Sequence, residues 1–137
     1  MQEQADVKFV GKSNIKYEFK GYLDNEQIHK FYEEDSVDLF ITTSETEGCP
    51  VSVQEAMAAG IPIVGTAVGE IPLMIQKCGY LLSDSPMPED VTECIINYSN
   101  ASPDEIGRMR TNAYNVWQMW YNSKENVLKL ENVLENL

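Results

Sequence analysis

The sequence predicts an α/β fold on a largely parallel sheet, and three observations lead there. Val37–Thr43 (VDLFITT) and the run Ile61-Pro62-Ile63-Val64-Gly65 are nearly continuous apolar stretches. Strands buried on both faces look like that, and parallel sheets bury both faces. Each run is followed by a segment of helical character, VSVQEAMAAG after the first and Glu70–Gln76 after the second. Strands that alternate with helices connect in parallel. The expectation is one parallel sheet of about five short strands with helices on both faces. Val37–Thr43 and Ile61–Val64 should be central and adjacent.

The elements follow in order. Val7–Val10 and Ile15–Phe19 are rich in β-branched and aromatic residues and are closed by Gly11 and Gly21, which favours strands. Asp24 can cap a helix running to about Glu34, with Ile28, Phe31 and Tyr32 on its buried side. Ala56, Met57, Ala58 and Ala59 favour helix, and Gly60 is a natural stop. Gly79–Leu82 reads as a last short strand, and Pro86 and Pro88 lead into a helix over about Glu89–Tyr98. Ser102-Pro103-Asp104-Glu105 has the order of a serine cap, a proline in the first turn, then acids. A helical tract should run from there to about Trp120. A final stretch puts Val127, Leu130, Leu134 and Leu137 on one stripe. Together these make one domain over 1–137, with a core at about 7–98 and C-terminal helices at about 102–137.

Composition excludes several functions. Ten basic against 22 acidic residues give the 137-residue chain a net charge of −12. Such a surface repels phosphate backbones and anionic lipid, which argues against nucleic acid as a partner. No apolar run approaches the ~20 residues of a membrane helix, and the polar N-terminus is no signal peptide. Cys49, Cys78 and Cys94 stand too far apart for a zinc knuckle and read as reduced thiols of a cytoplasmic protein. The single histidine, His29, falls on a surface helix and builds no metal site alone. Lys12 and Lys20 read as solvated loop lysines. Tyr114, Trp117, Trp120 and Tyr121 read as a packing face at helical spacing.

Parallel α/β sheets bind ligands at the C-terminal strand ends, so the turn Ser44–Pro50 is the first place to look. Glu47 lies in that loop, and Glu55, eight residues on, lies in the following helix. Gly48 lets a backbone approach a ligand closely. Pro50 fixes the helix entry, and the amides of Val51, Ser52 and Val53 then have no intrahelical partner. A phosphate fits there, favoured by the helix dipole. A carboxylate on each side suits a ligand that is anionic at its centre and hydroxyl-rich at its ends, the shape of a nucleotide sugar. Glu47 and Glu55 could equally complement the dipole of their helix and nothing more.

The whole string SETEGCPVSVQEAMAAGIPIVGT resembles the C-terminal, donor-binding domain of retaining GT-B glycosyltransferases of the glycosyltransferase family 4 type. The matched positions are Ser44, Glu47, Gly48, Pro50, Ser52, Glu55, Ala56, Met57, Ala58, Gly60 and Pro62. The flanks Phe19–Tyr22, Asp38–Ser44, Thr66–Gly69 and Gly79–Leu82 resemble that family's strand ends as well, so the likeness spans about 7–98. It implies a Rossmann-like half of a two-domain enzyme that moves a hexose from a nucleotide-diphosphate sugar with retention and without a metal or other cofactor. It gives Glu47 the catalytic place, holding hydroxyls of the transferred sugar, and Glu55 the ribose hydroxyls. Ser44, Gly48, Cys49, Pro50, Val51 and Ser52 complete the donor site. Cys49 should mainly pack, with a helix N-terminus able to lower its pKa.

Two departures from the family pattern stand out. Glu70 replaces the second glycine of V-G-G-x-x-E, and Leu73 replaces its glutamate. The arginine–lysine loop that clamps the diphosphate, and the N-terminal acceptor domain, have no counterpart before Val7. The chain is therefore expected to be an excised or naturally truncated C-terminal domain, inactive alone and prone to weak self-association. The full-length enzyme is expected to be capable of peripheral membrane attachment. The alternative is a non-catalytic nucleotide-sugar-binding or assembly module. A flavodoxin-like or response-regulator-like protein is disfavoured, because no acidic cluster or phosphate loop follows the first strand.

Overall fold

Ile63-Val64-Gly65-Thr66 is the strand against which the other elements are laid. All four residues are buried, and successive side chains point to opposite faces, so both faces of this strand are covered. The computed structural model describes residues 18–136. Among them, β1 (Phe40–Thr42), β2 (Ile63–Thr66) and β3 (Gly79–Leu82) form a sheet in the order β1-β2-β3, with both pairs parallel. Phe40 stands opposite Ile63, and Ile63 opposite Gly79. The α/β architecture with a parallel sheet is the one the apolar runs predict.

The described residues hold three of the about five expected strands, and one expectation, for Val37–Thr43, needs correction. Val7–Val10 and residues 15–17 lie outside the described residues, and Glu18 and Phe19 are irregular. The run Val37–Thr43 yields a strand only over Phe40–Thr42. Its Ile41 is 39% exposed, so this strand is not buried on both faces. Among the described residues β1 lies at the sheet edge, next to a central β2. The reason for the late start is Pro62. The ladder begins with the Phe40 amide donating to the Pro62 carbonyl at 2.9 Å. Proline has no amide to return toward Asp38, so pairing cannot extend upstream. The Val37 carbonyl instead accepts from Arg110 at 3.1 Å.

The helices follow local rules. α1 (Asn25–Glu34) starts at the expected Asp24, which exchanges bonds with Gln27 in a capping box. Its Ile28, Phe31 and Tyr32 are half-buried. α2 (Val51–Ala58) buries Val53, Ala56 and Met57, the i, i+3, i+4 face of an amphipathic helix. It ends as EAMAAG foretells. Gly60 adopts φ +67°, its amide bonds the Met57 carbonyl, and the Ile61 amide bonds that of Ala56. That pair of bonds is a Schellman stop, which needs a left-handed residue. α3 (Ile71–Met74) is one short turn, and α4 covers Pro88–Asn100. α5 (Pro103–Val116) begins with the Ser102–Glu105 capping box. The tract expected to reach Trp120 leaves α geometry early, continuing as a π-helical turn over Trp117–Tyr121. There the Asn122 amide reaches the Trp117 carbonyl at 2.9 Å. α6 covers Ser123–Glu135.

The core joins α2, β2, α3 and α5. Val53, Ala56, Met57, Ile61, Ile63, Ile71, Met74, Ile75, Cys78 and Ala113 form one buried cluster. Trp117 and Tyr121 of the π turn pack on it, whereas Trp120 is 65% exposed. The expected aromatic face is thus split between core and solvent. Val127, Leu130 and Leu134 of α6 are exposed, and Leu137 lies outside the described residues. No described helix is long and apolar enough to cross a membrane. Gly60→Ala should cost about 1–2 kcal/mol, because a side chain in the left-handed region is strained. Urea unfolding of the two proteins measures it.

Candidate functional site

The three strands end together, and the loops after them face one cleft of about 580 Å³. Glu45, Thr46 and Glu47 come from the loop after β1, Ala67, Val68 and Gly69 from the turn after β2, and Asp84 and Ser85 from the loop after β3. This is where an open parallel sheet places a ligand. A second hollow, of about 460 Å³ and lined by Lys77, Tyr80, Asn97, Arg108 and Asn112, lies by the start of β3. It is at the opposite end of the sheet, away from these loops.

The first loop is held from below. Thr66, fully buried, donates its hydroxyl to the Ser44 carbonyl at 2.6 Å. The Ser44 hydroxyl lies 3.2 Å from that of Thr42. Ser44 therefore anchors the loop, with both polar groups engaged by neighbouring strands. It is held from the side by the turn after β2. Gly69 has φ +54°, and a Cβ there would strike the carbonyls of Glu47 and Gly48. The Glu70 amide donates to the Gly48 carbonyl at 2.8 Å.

Of the eight residues named from the sequence, Glu47 lines the cleft. Gly48 and Cys49 are exposed beside it, and nothing stands within 4 Å of where a Gly48 side chain would begin. Pro50 is buried as the N-cap of α2, one position earlier than the first helical residue. Val51 and Ser52 are exposed in the first turn, whose amides lack intrahelical acceptors. Glu55 sits in the second turn, half-buried and outside the strand-end cleft. It faces Tyr32 of α1, whose hydroxyl is pushed above its ordinary pKa by burial and then by the Glu55 charge. Glu55 thus does not share the cleft that Glu47 lines.

Electrostatically the cleft is acidic. Glu45, Glu47 and Asp84 line it, and no lysine or arginine does among the described residues. Lys20 pairs with Glu18 at 2.9 Å and lies over the Phe31 ring, so it is engaged elsewhere. Lys12 lies outside the described residues. Among the described residues no group of three His, Cys, Asp or Glu side chains could hold a metal.

The Cys49 thiol moves opposite to the expectation from its helix N-terminus. Partial burial and the Glu70 carboxylate push it up to about 11. Sequence reasoning missed Asp84 and Ser85, although the strand-end rule applied to Gly79–Leu82 points at them.

Residues 9–116 match the family model for glycosyl transferases group 1, and the chain belongs to that family. It is 34% identical over 99 residues to the sulfoquinovosyl transferase SQD2 of Arabidopsis thaliana, a match covering 69% of this chain and 18% of that protein. It is 29% identical over 105 residues to TuaC of Bacillus subtilis (strain 168), a protein named for teichuronic acid biosynthesis, covering 73% and 27%. The sucrose-phosphate synthase structure from Thermosynechococcus elongatus superposes with a TM-score of 0.70 at 20% identity, over 85% of this chain and 29% of that one. The chain thus spans less than a third of the length of each of these proteins.

Two outcomes test the site's local physics. Gly69→Ala should lower stability by about 1–2 kcal/mol for the left-handed backbone alone, with the carbonyl clash added, as chemical denaturation reads. Cys49, although exposed, should alkylate slowly at pH 8, its rate climbing as the thiolate forms toward about pH 11. Peptide mass spectrometry against pH separates it from Cys78 and Cys94.

Proposed function

We propose that the chain is the donor-binding, C-terminal domain of a retaining GT-B glycosyltransferase of the family 4 type. Its substrate is a nucleotide-diphosphate sugar, from which the complete enzyme moves a hexose to an acceptor in polysaccharide or glycoconjugate biosynthesis. The observation that carries this reading is the cleft at the three strand ends, whose first loop runs through Glu47 and Gly48 into the bare amides of α2. Family membership supports the substrate class.

On this reading three groups divide the work. The first-turn amides of α2 and the positive end of its dipole receive the diphosphate and stabilise the charge that grows on it as the sugar leaves. Glu47, from the cleft wall, accepts bonds from hydroxyls of the transferred sugar. Glu55, on the α1 side of the helix, accepts from the ribose. Glu70, in the place of a family glycine, stands behind the loop. The acidic lining supplies no cation for the diphosphate, so the 137-residue chain binds donor weakly and transfers no sugar alone. That same lining favours the second reading, a nucleotide-sugar-binding module without turnover. The proposal keeps the protein in the cytoplasm, where nucleotide sugars are at hand.

The test is a titration of UDP, GDP, ADP and their sugars, followed by NMR or calorimetry. Glu55→Gln should weaken nucleotide and nucleotide sugar alike. Glu47→Gln should spare the bare nucleotide and weaken the sugar-bearing donor. Each loss should be on the order of 1–3 kcal/mol, as for hydrogen bonds to a charged group. Equal effects of both variants on both ligands would refute the division. Turnover by the 137-residue chain above a Glu47→Ala control would refute its inactivity.

A further inference from the structure

With 22 acidic residues against 10 basic ones, a cation in this chain has many carboxylates to pair with. Two cations nonetheless stand unpaired in one hollow. Among the described residues, Lys20, Lys30 and Arg110 each lie beside a carboxylate, and Lys129 donates to the Met119 carbonyl. Lys77, Arg108 and Lys124 form no ion pair among the described residues. Lys77 and Arg108 both line the hollow of about 460 Å³ beside the start of β3, at the opposite end of the sheet from the cleft of Glu47. Two helices build its walls. Asn97 and Asn100 lie three apart at the end of α4, and Glu105, Arg108 and Asn112 fall at i, i+3 and i+7 on one face of α5. Tyr80 of β3 and Lys77 of the turn before it complete the lining.

The one carboxylate in that lining is already engaged. A single oxygen of Glu105 accepts from both the amide and the hydroxyl of Ser102, at 2.8 and 2.7 Å, in the capping box that opens α5. Asn112 is fixed as well, its side-chain amide donating to the Lys77 carbonyl at 3.0 Å and joining α5 to the turn before β3. The side-chain amides of Asn97 and Asn100 have no hydrogen-bond partner among the described residues. Small-molecule sites span about 300–1,000 Å³, so the hollow has the size of one. We propose that it binds a hydroxyl-bearing oxyanion, a sugar ring that carries a carboxylate or a phosphate. The Arg108 guanidinium presents paired donors to two oxygens of the anion, and the Lys77 ammonium adds a point charge. Asn97 and Asn100 donate to and accept from the ring hydroxyls, as the Tyr80 hydroxyl also does. A bare inorganic anion would use the cations and leave the amides idle. A neutral sugar would use the amides and leave the cations idle.

The experiment titrates the isotope-labelled 137-residue chain, followed by NMR, with glucuronate, glucose 6-phosphate, glucose and inorganic phosphate in separate arms. At least one of the two acids should shift the Lys77, Asn97, Arg108 and Asn112 resonances saturably, about tenfold or more tighter than glucose or inorganic phosphate. Which acid does so tells a carboxylate source from a phosphate source. Arg108→Gln and Lys77→Met each remove one charge from an exposed position, and unchanged β2 resonances show that the fold is kept. Each should weaken the bound acid about tenfold, the size of a lost charge-assisted hydrogen bond, and Asn100→Ala about threefold. No saturable shift at these residues with either acid overturns the proposal. So does inorganic phosphate or glucose binding as tightly as the acids, and so does unchanged affinity in both charge variants. Shifts confined to Glu47, Gly48 and Gly69 overturn it too, because the ligand then sits in the strand-end cleft.

Discussion

Two bare stretches of backbone touch where the turn after β2 meets the loop after β1, and the geometry of the site depends on that touch. Gly69 has no side chain to hold the carbonyls of Glu47 and Gly48 away. The Glu70 amide then bonds one of them. From beneath, the Thr66 hydroxyl bonds the Ser44 carbonyl. A loop of seven residues, 44–50, is thus fixed at its start and its middle, and its end is the buried Pro50 that opens α2. A side chain at position 69 would move the Glu47 carboxylate and the helix entrance together, since both hang from the same few peptide groups.

The charges around the cleft set a problem that its dipoles only partly solve. Three carboxylates line it, and the N-terminus of α2 beside it offers the equivalent of roughly half a positive charge. A diphosphate carries far more than that. The arrangement suits recognition of hydroxyls, which donate to carboxylates, better than it suits an anion. On the proposed reading, positive charge from elsewhere completes it.

Much of this was legible in the sequence because it depends on short-range chemistry. The cap at Asp24, the Schellman stop at Gly60, the Ser102 capping box and the strand Gly79–Leu82 all follow from residues within a few positions of one another. The placement of the loop at the strand ends follows from alternation of strand and helix. What the residues alone did not reveal depends on partners distant in the chain. The apolar run Val37–Thr43 promised a longer, fully buried strand, and it was the missing amide of Pro62 that shortened it. The Cys49 thiol was read from its helix N-terminus, and partial burial, then the Glu70 charge from another turn, push it the other way. Tyr121 belongs to a π turn, and no spacing in WQMWY announces one.

Arg110 carries a consequence for how the chain assembles. From the middle of α5 it donates to the carbonyls of Val37 and Gly60, 73 and 50 residues upstream, and lies 3.6 Å from the Asp38 carboxylate. These two carbonyls stand at the beginnings of β1 and β2, beyond the reach of the sheet's own ladder. During synthesis the β1–α2–β2 unit emerges well before the residue that satisfies it. Closing a contact over such a separation is slow compared with forming a helix. The half-made sheet must therefore wait with open carbonyls at one end, and a chain cut short before α5 keeps them open for good.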